Sequence, residues 1–108
     1  MKSHIQIDAR NLALARHIVA RIDLDSAHKG VDKARQTCNH WLDILPDVQH
    51  HCVNEWVEIL KQQWKNIRSI LLDPSEKATQ LRQNNPFCGI LSNRERWQIF
   101  KEYSDNDS

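Results

Sequence analysis

The scarcity of residues that turn the backbone sharply is the strongest constraint on how this chain folds. Its 108 residues include only two Gly and three Pro. A β-sandwich needs a turn signal roughly every 8–12 residues, and Gly and Pro supply most of these signals. The sequence therefore predicts an all-α fold, a single compact bundle of about five helices over residues 1–103. A disordered tail is expected at 104–108, where every residue is small and polar.

Apolar spacing predicts the first three helices. The first is expected over 8–23, with Asp8 as its N-cap and an inward stripe at helical spacing. A second helix is expected to follow a cap at Ser26 and to end near 44, and a third to carry Pro46 in its first turn. Because the link between them is short, these two helices should pack antiparallel. The stripe of the first helix consists of Leu12, Ala15, Ile18, Val19 and Ile22.

Three further signals divide the second half of the chain. The apolar face shifts near 62–65, which indicates a kink or a separate short helix. The run Asp73-Pro74-Ser75-Glu76 combines a cap, a first-turn proline and an acid, so a helix should begin at 74. Ser92-Asn93-Arg94-Glu95 is a capping box that opens a last helix. That helix is expected to carry one apolar face, formed by Trp97, Phe100 and Tyr103.

The same register assigns most of the bulky residues to the core. Trp41 and Trp56 each fall on a helix stripe and are expected in the interior. Cys38 and Cys52 share those stripes, where Cys commonly acts as a small buried residue. Trp64 lies at the suspected kink and is expected to be partly exposed. The stripe of the third helix is predicted to contain Val48, Cys52, Trp56, Ile59, Leu60 and Gln63.

Charge composition gives no general preference for nucleic acid. Fifteen Lys and Arg face fourteen Asp and Glu, so the formal net charge is +1. Domains that depend on phosphate contacts usually carry a clear basic excess or a basic face. A nucleic-acid-associated transcriptional regulator is therefore the alternative function, less favoured than a protein-binding one. The side chains that would serve it lie on the first two helices: Arg10, Arg16, Arg21, Lys29 and Lys33.

The lengths of the apolar runs and the number of cysteines indicate where in the cell the protein is expected. The longest runs, at 70–72 and 89–91, are far shorter than the roughly 20 residues that cross a bilayer. The N-terminus has no apolar signal core, so neither a membrane nor secretion by that route is expected. Cys38, Cys52 and Cys88 are odd in number and show no C-x-x-C spacing. A cytoplasmic location is therefore expected.

One cluster has the residue types of a metal site. His40, His50, His51 and Cys52, with Cys38 on the preceding helix, are the basis of a third hypothesis, a metal-dependent enzyme. Adjacent histidines on a helix point about 100° apart, and no four ligands show a zinc spacing. The favoured interpretation is solvated histidines and buried thiols. We therefore predict no metal, no cofactor and no catalytic residue, and a protein that is not an enzyme.

The most informative segment is 81–97, where one helix ends and the next begins. It contains an aromatic residue, Pro86 and Gly89 between several polar and basic side chains. One interpretation is a rigid corner, in which Phe87 and Ile90 fill the core and Gly89 adopts a positive φ. The other is a contact patch for a partner, since loops positioned by a scaffold often bind. The residues of this predicted patch are Arg82, Gln83, Asn85, Phe87, Arg94 and Arg96.

At this segment the chain resembles a family of small bacterial helical proteins. The matching residues are Leu81-Arg82-Gln83, a polar pair, Pro86-Phe87, Gly89, an aliphatic pair and Glu95-Arg96-Trp97. Fainter likeness extends upstream through Trp41 and Trp56. Members resemble partner proteins of toxin–antitoxin-like gene pairs, sometimes fused to helix-turn-helix regulators of the Xre kind. The resemblance implies an all-helical fold and an antitoxin-like function.

Together these observations predict a non-catalytic interaction protein that binds and neutralises a toxin-like partner. The expected partner is a protein, and homo-oligomerisation is left open.

Overall fold

A computed structural model describes the backbone of residues 4–104 and the side chains of 7–87 and 89–103. Within this range the chain forms no strand, which confirms the all-α class. Six α-helices are present there, one more than expected, because the third predicted helix breaks after Ile59 into two. The helices are α1 (His4–Asp23), α2 (Lys29–Ile44), α3 (His50–Ile59), α4 (Trp64–Leu72), α5 (Glu76–Arg82) and α6 (Asn93–Ser104). Short 3₁₀ turns span Asp47–Gln49 and Cys88–Ile90.

Two predicted boundaries extend beyond the described residues. The domain was expected over 1–103, and residues 1–3 fall outside. Of the tail expected at 104–108, only Ser104 is described, and it is the last residue of α6.

Helix α1 is the centre of the bundle. It contacts α2, α4, α5 and α6, and its buried face contains Ala15, Ile18, Val19 and Ile22 as the spacing predicts. The expected N-cap at Asp8 is wrong, because α1 begins at His4 and no Gly or Pro interrupts residues 4–8. The result is a 20-residue helix around which the others pack.

The entry to α2 is capped by Asp25 and not by Ser26. Asp25 accepts hydrogen bonds from the backbone N–H of Ala27 at 3.1 Å and of Lys29 at 2.9 Å. These bonds hold the pKa of Asp25 below its usual range, the one from Lys29 having the larger effect. His28 completes the turn with φ 49°, the one positive φ among the described residues. The carboxylate thus satisfies amide groups that the start of α2 leaves free.

Gly30 lies where the start of α2 packs against Ile22 of α1 and against Ile90. A Cβ at this position would lie 2.8 Å from Cγ1 of Ile22 and 2.8 Å from Cδ1 of Ile90. Ordinary carbon contacts are about 3.5–4.0 Å. A glycine inside a helix usually reduces stability relative to Ala, and here the close approach of two isoleucines accounts for it.

Helices α2 and α3 form an antiparallel hairpin, as predicted. Arg35, near the start of α2, donates from Nε and Nη2 to the carbonyl oxygen of Leu60 at 3.0 and 2.6 Å. Leu60 follows the last residue of α3, so the guanidinium caps that helix end. Pro46 precedes the 3₁₀ turn at the other end of the hairpin and does not lie in the first turn of α3.

The later helices begin close to their predicted caps. The N-cap of α5 is Ser75, whose hydroxyl accepts from the N–H of Ala78 at 3.2 Å, so α5 starts at Glu76 and not at 74. The capping box of α6 is confirmed: Ser92 accepts from the N–H of Glu95 at 3.1 Å, and Glu95 accepts from the N–H of Ser92 at 3.0 Å.

The core confirms part of the predicted register. Trp56 is fully buried, Trp41 is half-buried against the core, and Trp64 is partly exposed as expected. Cys38 is buried and Cys52 is exposed, so the expectation of two buried thiols is wrong for Cys52. No helix among the described residues is long and apolar enough to cross a membrane.

Helical spacing places two other apolar side chains, Val48 and Trp97, in the core, but both are exposed in the structure. Val48 is 88% exposed, because it belongs to the 3₁₀ turn and not to the face of α3. Trp97 is 60% exposed, because the buried face of α6 is centred on Ile99.

Candidate interaction surface

Arg82 is a buried structural residue. Its Nη1 donates to the carbonyl oxygens of Leu71 at 3.0 Å and Asp73 at 2.7 Å, and Nη2 donates to Oγ1 of Thr79 at 3.2 Å. Burial lowers the pKa of Arg82, while the nearby charges of Asp73 and Asp8 oppose that shift. The guanidinium therefore caps the C-terminal end of α4, and its positive charge lies against the negative end of the helix dipole.

Asn85 and Phe87 form the corner that follows α5. The side-chain oxygen of Asn85 accepts from the N–H of Phe87 at 2.8 Å. Phe87 is fully buried and meets the ring of Trp56 edge-on at 6.0 Å between centroids. The indole N–H of Trp56 donates to the carbonyl oxygen of Leu81 at 3.0 Å, which fixes both rings. Gly89 does not adopt the positive φ expected of it.

The predicted patch is not one exposed surface. Arg82, Asn85 and Phe87 are buried, whereas Gln83 and Arg94 are exposed. Arg96 is half-buried, and its guanidinium donates to the side chain of Asn93. The structure therefore favours the rigid-corner interpretation for Phe87 and leaves only part of the set accessible to a partner.

Three clefts beside this corner instead share lining residues with one another. Their volumes are about 180, 390 and 340 Å³. Asn84 lines all three, Cys52 lines the first and second, and Trp41 lines the second and third. We call this surface the Asn84 groove. Among the residues of the predicted patch, Arg82, Gln83 and Asn85 line its third cleft, and Phe87, Arg94 and Arg96 line none of the three.

Charged side chains along the Asn84 groove are bound within the chain. Glu55 accepts from the ammonium of Lys77, and this bond is the main reason that the pKa of Glu55 lies below its usual range. Nε2 of His51 lies 3.2 Å from Oε1 of Glu55. Apart from the guanidinium of Arg82, which binds carbonyl oxygens of its own chain, the remaining polar lining consists mainly of uncharged carboxamides, namely Asn11, Gln49, Gln80, Gln83, Asn84 and Asn85.

The turn between α2 and α3 extends this surface. We define the hairpin tip as Asp43, Ile44, Asp47 and Val48. Ile44 is 61% and Val48 88% exposed, so two of the four large apolar side chains exposed in the described part of the chain lie here. Sequence reasoning missed the tip because it placed Val48 on a buried face.

The histidines and thiols do not converge. Nε2 of His50 makes a 2.9 Å contact with the carbonyl oxygen of Leu45, and His51 pairs with Glu55. Burial raises the pKa of the Cys38 thiol to about 11. In the described part of the chain, no three His, Cys, Asp or Glu side chains are grouped as metal ligands would be.

The cations proposed for nucleic acid are only partly available. The guanidinium of Arg10 lies 4.7 Å from the centre of the Phe100 ring, and that of Arg21 pairs with Glu95. Arg16, Lys29 and Lys33 are exposed. Two of the five thus make contacts within the chain that phosphate binding would have to disturb.

Comparison with known proteins finds no match to a family model, a curated protein or a solved structure.

Proposed function

We propose that this chain is a non-catalytic interaction domain that binds and restrains a toxin-like protein through the Asn84 groove. The observation that carries the proposal is the groove itself, with Trp41, Val48 and Cys52 accessible beside a carboxamide lining. The toxin-like character of the partner comes from the resemblance of segment 81–97 to antitoxin-like proteins.

The chemistry of the lining suits a polypeptide occupant. A carboxamide offers a donor and an acceptor together, which matches the peptide group. Exposed apolar side chains next to such groups provide the buried centre that protein interfaces require. The charged side chains of the lining are engaged within the chain, since Glu55 pairs with Lys77 and the guanidinium of Arg82 binds the carbonyl oxygens of Leu71 and Asp73.

Surface area is sufficient for such an interface. The folded chain has an accessible surface of 7094 Å². A standard protein interface buries about 800 Å² on each partner, roughly a tenth of a small protein's surface. A tenth of this chain's surface is about 700 Å², close to that requirement.

Co-expression with the product of the adjacent gene tests the proposal. The wild-type chain should relieve growth inhibition by that product and co-purify with it. Val48→Asp and Asn84→Arg place a charge in the groove and should weaken co-purification about tenfold or more. Neither substitution removes a core side chain, and circular dichroism checks that each variant folds.

Leu24→Asp is the matched control. Leu24 is 87% exposed, almost the same as Val48, but lies beyond the opposite end of α2, about 24 Å along the helix axis. It should retain the partner. If the adjacent product does not bind, or if the groove variants bind it as well as the wild type does, the proposal is wrong.

A further inference from the structure

The α2–α3 hairpin has all of its Lys and Arg residues in the first half of α2, at Lys29, Lys33 and Arg35. From 36 to 60 the sequence contains neither Lys nor Arg, and it contains Asp43, Asp47, Glu55 and Glu58. Glu58 pairs with Lys61, and Glu55 pairs with Lys77. Asp43 and Asp47 are exposed. Among the described residues, His50 is the one ionisable side chain that pairs with either of them, with its Nδ1 3.7 Å from Oδ1 of Asp47.

The C-terminal end of α2 has no Lys or Arg, whereas every other described helix end has one; it is contacted instead by the ring of His50, whose Nε2 lies 2.9 Å from the carbonyl oxygen of Leu45. Three helices carry a basic residue in their own last turn: Arg21 in α1, Arg82 in α5 and Lys101 in α6. The ends of α3 and α4 are capped by guanidinium groups from elsewhere, those of Arg35 and Arg82. Helix α2 has no basic residue in its last turn, which instead contains Asp43.

This arrangement is electrostatically unfavourable in the isolated chain. A helix C-terminus carries a partial negative charge, so a carboxylate there is destabilising and a cation stabilising. Exposed Ile44 and Val48 lie beside the same helix end. The hairpin tip thus combines two carboxylates that have no Lys or Arg partner among the described residues with two exposed apolar side chains.

We propose that the hairpin tip binds a basic amphipathic segment of the partner polypeptide, in which Lys or Arg flanks apolar side chains. A partner Lys or Arg would lie beside the carboxylates of Asp43 and Asp47 at the end of α2, where His50 already contacts the carbonyl oxygen of Leu45. The apolar side chains would cover Ile44 and Val48. This inference rests on the proposed function and specifies the chemistry of the partner.

Two designed helical peptides of about 18 residues test the inference. Both carry the same Leu face, flanked by Lys and Arg in one and by Glu in the other. Fluorescence anisotropy should show that the intact chain binds the basic peptide at least about tenfold more tightly, and that added salt weakens this binding. Amide shifts in NMR spectra should map the contact to the hairpin tip.

Charge reversal at the tip gives the decisive comparison. Asp43→Lys combined with Asp47→Lys should weaken binding of the basic peptide about tenfold. Glu102→Lys, which reverses an exposed acid on α6, should leave it unchanged. Equal binding of both peptides, equal binding by the doubly reversed variant, or shifts centred away from the tip would each overturn the inference.

A second copy of the chain is the competing occupant. Sedimentation would then show self-association of the wild type that Val48→Asp abolishes and Leu24→Asp retains, and this result would also overturn the inference. Co-purification separates the two proposals. If the adjacent gene product binds the wild type and the doubly reversed variant equally well, the basic-segment inference fails while the proposed function stands.

Discussion

Gly30→Ala should destabilise the protein, although helix propensity alone predicts the opposite. Ala is favoured over Gly by about 1 kcal/mol in a helix interior, and by less in a first turn. Gly30 is the second residue of α2. Propensity therefore predicts a gain of less than 1 kcal/mol.

The new methyl group has no room. It would lie 2.8 Å from atoms of both Ile22 and Ile90, so the contacts must open by about 0.7 Å or more to reach ordinary separation. Ile90 is half-buried and packed against the core, and Ile22 is 2% exposed and belongs to the core, so neither side chain can move away freely. Overpacking of this kind costs about 1–3 kcal/mol. The net expectation is a loss of about 1–2 kcal/mol.

Urea unfolding followed by circular dichroism measures the effect. With a slope of about 1–3 kcal/mol per molar urea, the midpoint should fall by about 0.3–2 M. Gly89→Ala is the matched control, since nothing lies within 4 Å of a Cβ there and its φ is not positive. That control should be neutral or gain about 0.4–1 kcal/mol.

Removal of one obstacle should rescue the variant. Ile90→Val deletes the Cδ1 atom that the new methyl group meets, so Gly30→Ala and Ile90→Val should be coupled by about 0.5–1 kcal/mol. A Gly30→Ala variant as stable as the wild type, or an additive double variant, would refute the steric explanation.

Four further outcomes follow from single groups. Ser92→Ala removes one bond of the capping box and should lower the free energy of unfolding by about 1 kcal/mol, measured by urea titration. The backbone N–H of Ser92 is the main reason that the pKa of Glu95 lies below its usual range, so the stability that this carboxylate contributes is present at neutral pH. It should be lost as the pH falls from about 5 through the lowered pKa, and thermal unfolding of Glu95→Gln should show a smaller loss over that range. Asp43→Lys should raise stability by about 0.3–1 kcal/mol, since it replaces an acid with a cation at the end of α2. Iodoacetamide should alkylate exposed Cys52 in the native protein and spare buried Cys38, as peptide mapping by mass spectrometry would show.

Sequence spacing predicted the fold well where a helix runs without interruption. The stripe of α1 is buried as expected from Ala15 to Ile22. It failed at the start of the third predicted helix, where Val48 belongs to the 3₁₀ turn at Asp47–Gln49, which winds three residues per turn and is not part of α3. Cys52 is exposed, and the buried face of α3 is formed by Val53 and by Trp56, which is buried as predicted.

The candidate site was predictable only in part, for a different reason. Gln83 was assigned from its place in a polar corner and does line the Asn84 groove. Arg82 has the same local context, but its guanidinium turns back onto the carbonyl oxygens of Leu71 and Asp73. That contact depends on how α5 packs against the end of α4, and no spacing rule in the sequence encodes it. Trp41 and Asn84 meet only through tertiary packing, so the groove has no linear signal.

The distribution of cations connects the stability of this fold with its proposed interaction surface. Basic side chains are the usual guides to a binding face, yet Arg10, Arg21 and Arg82 all contact groups of their own chain. The position that distinguishes one surface from the rest is the C-terminal end of α2, where Asp43 occurs in place of a cation. If that end is retained for a basic partner, Asp43→Lys should increase the stability of the free chain and weaken the complex at the same time. A substitution at a residue that served only folding would change the stability of the free chain and that of the complex in the same direction.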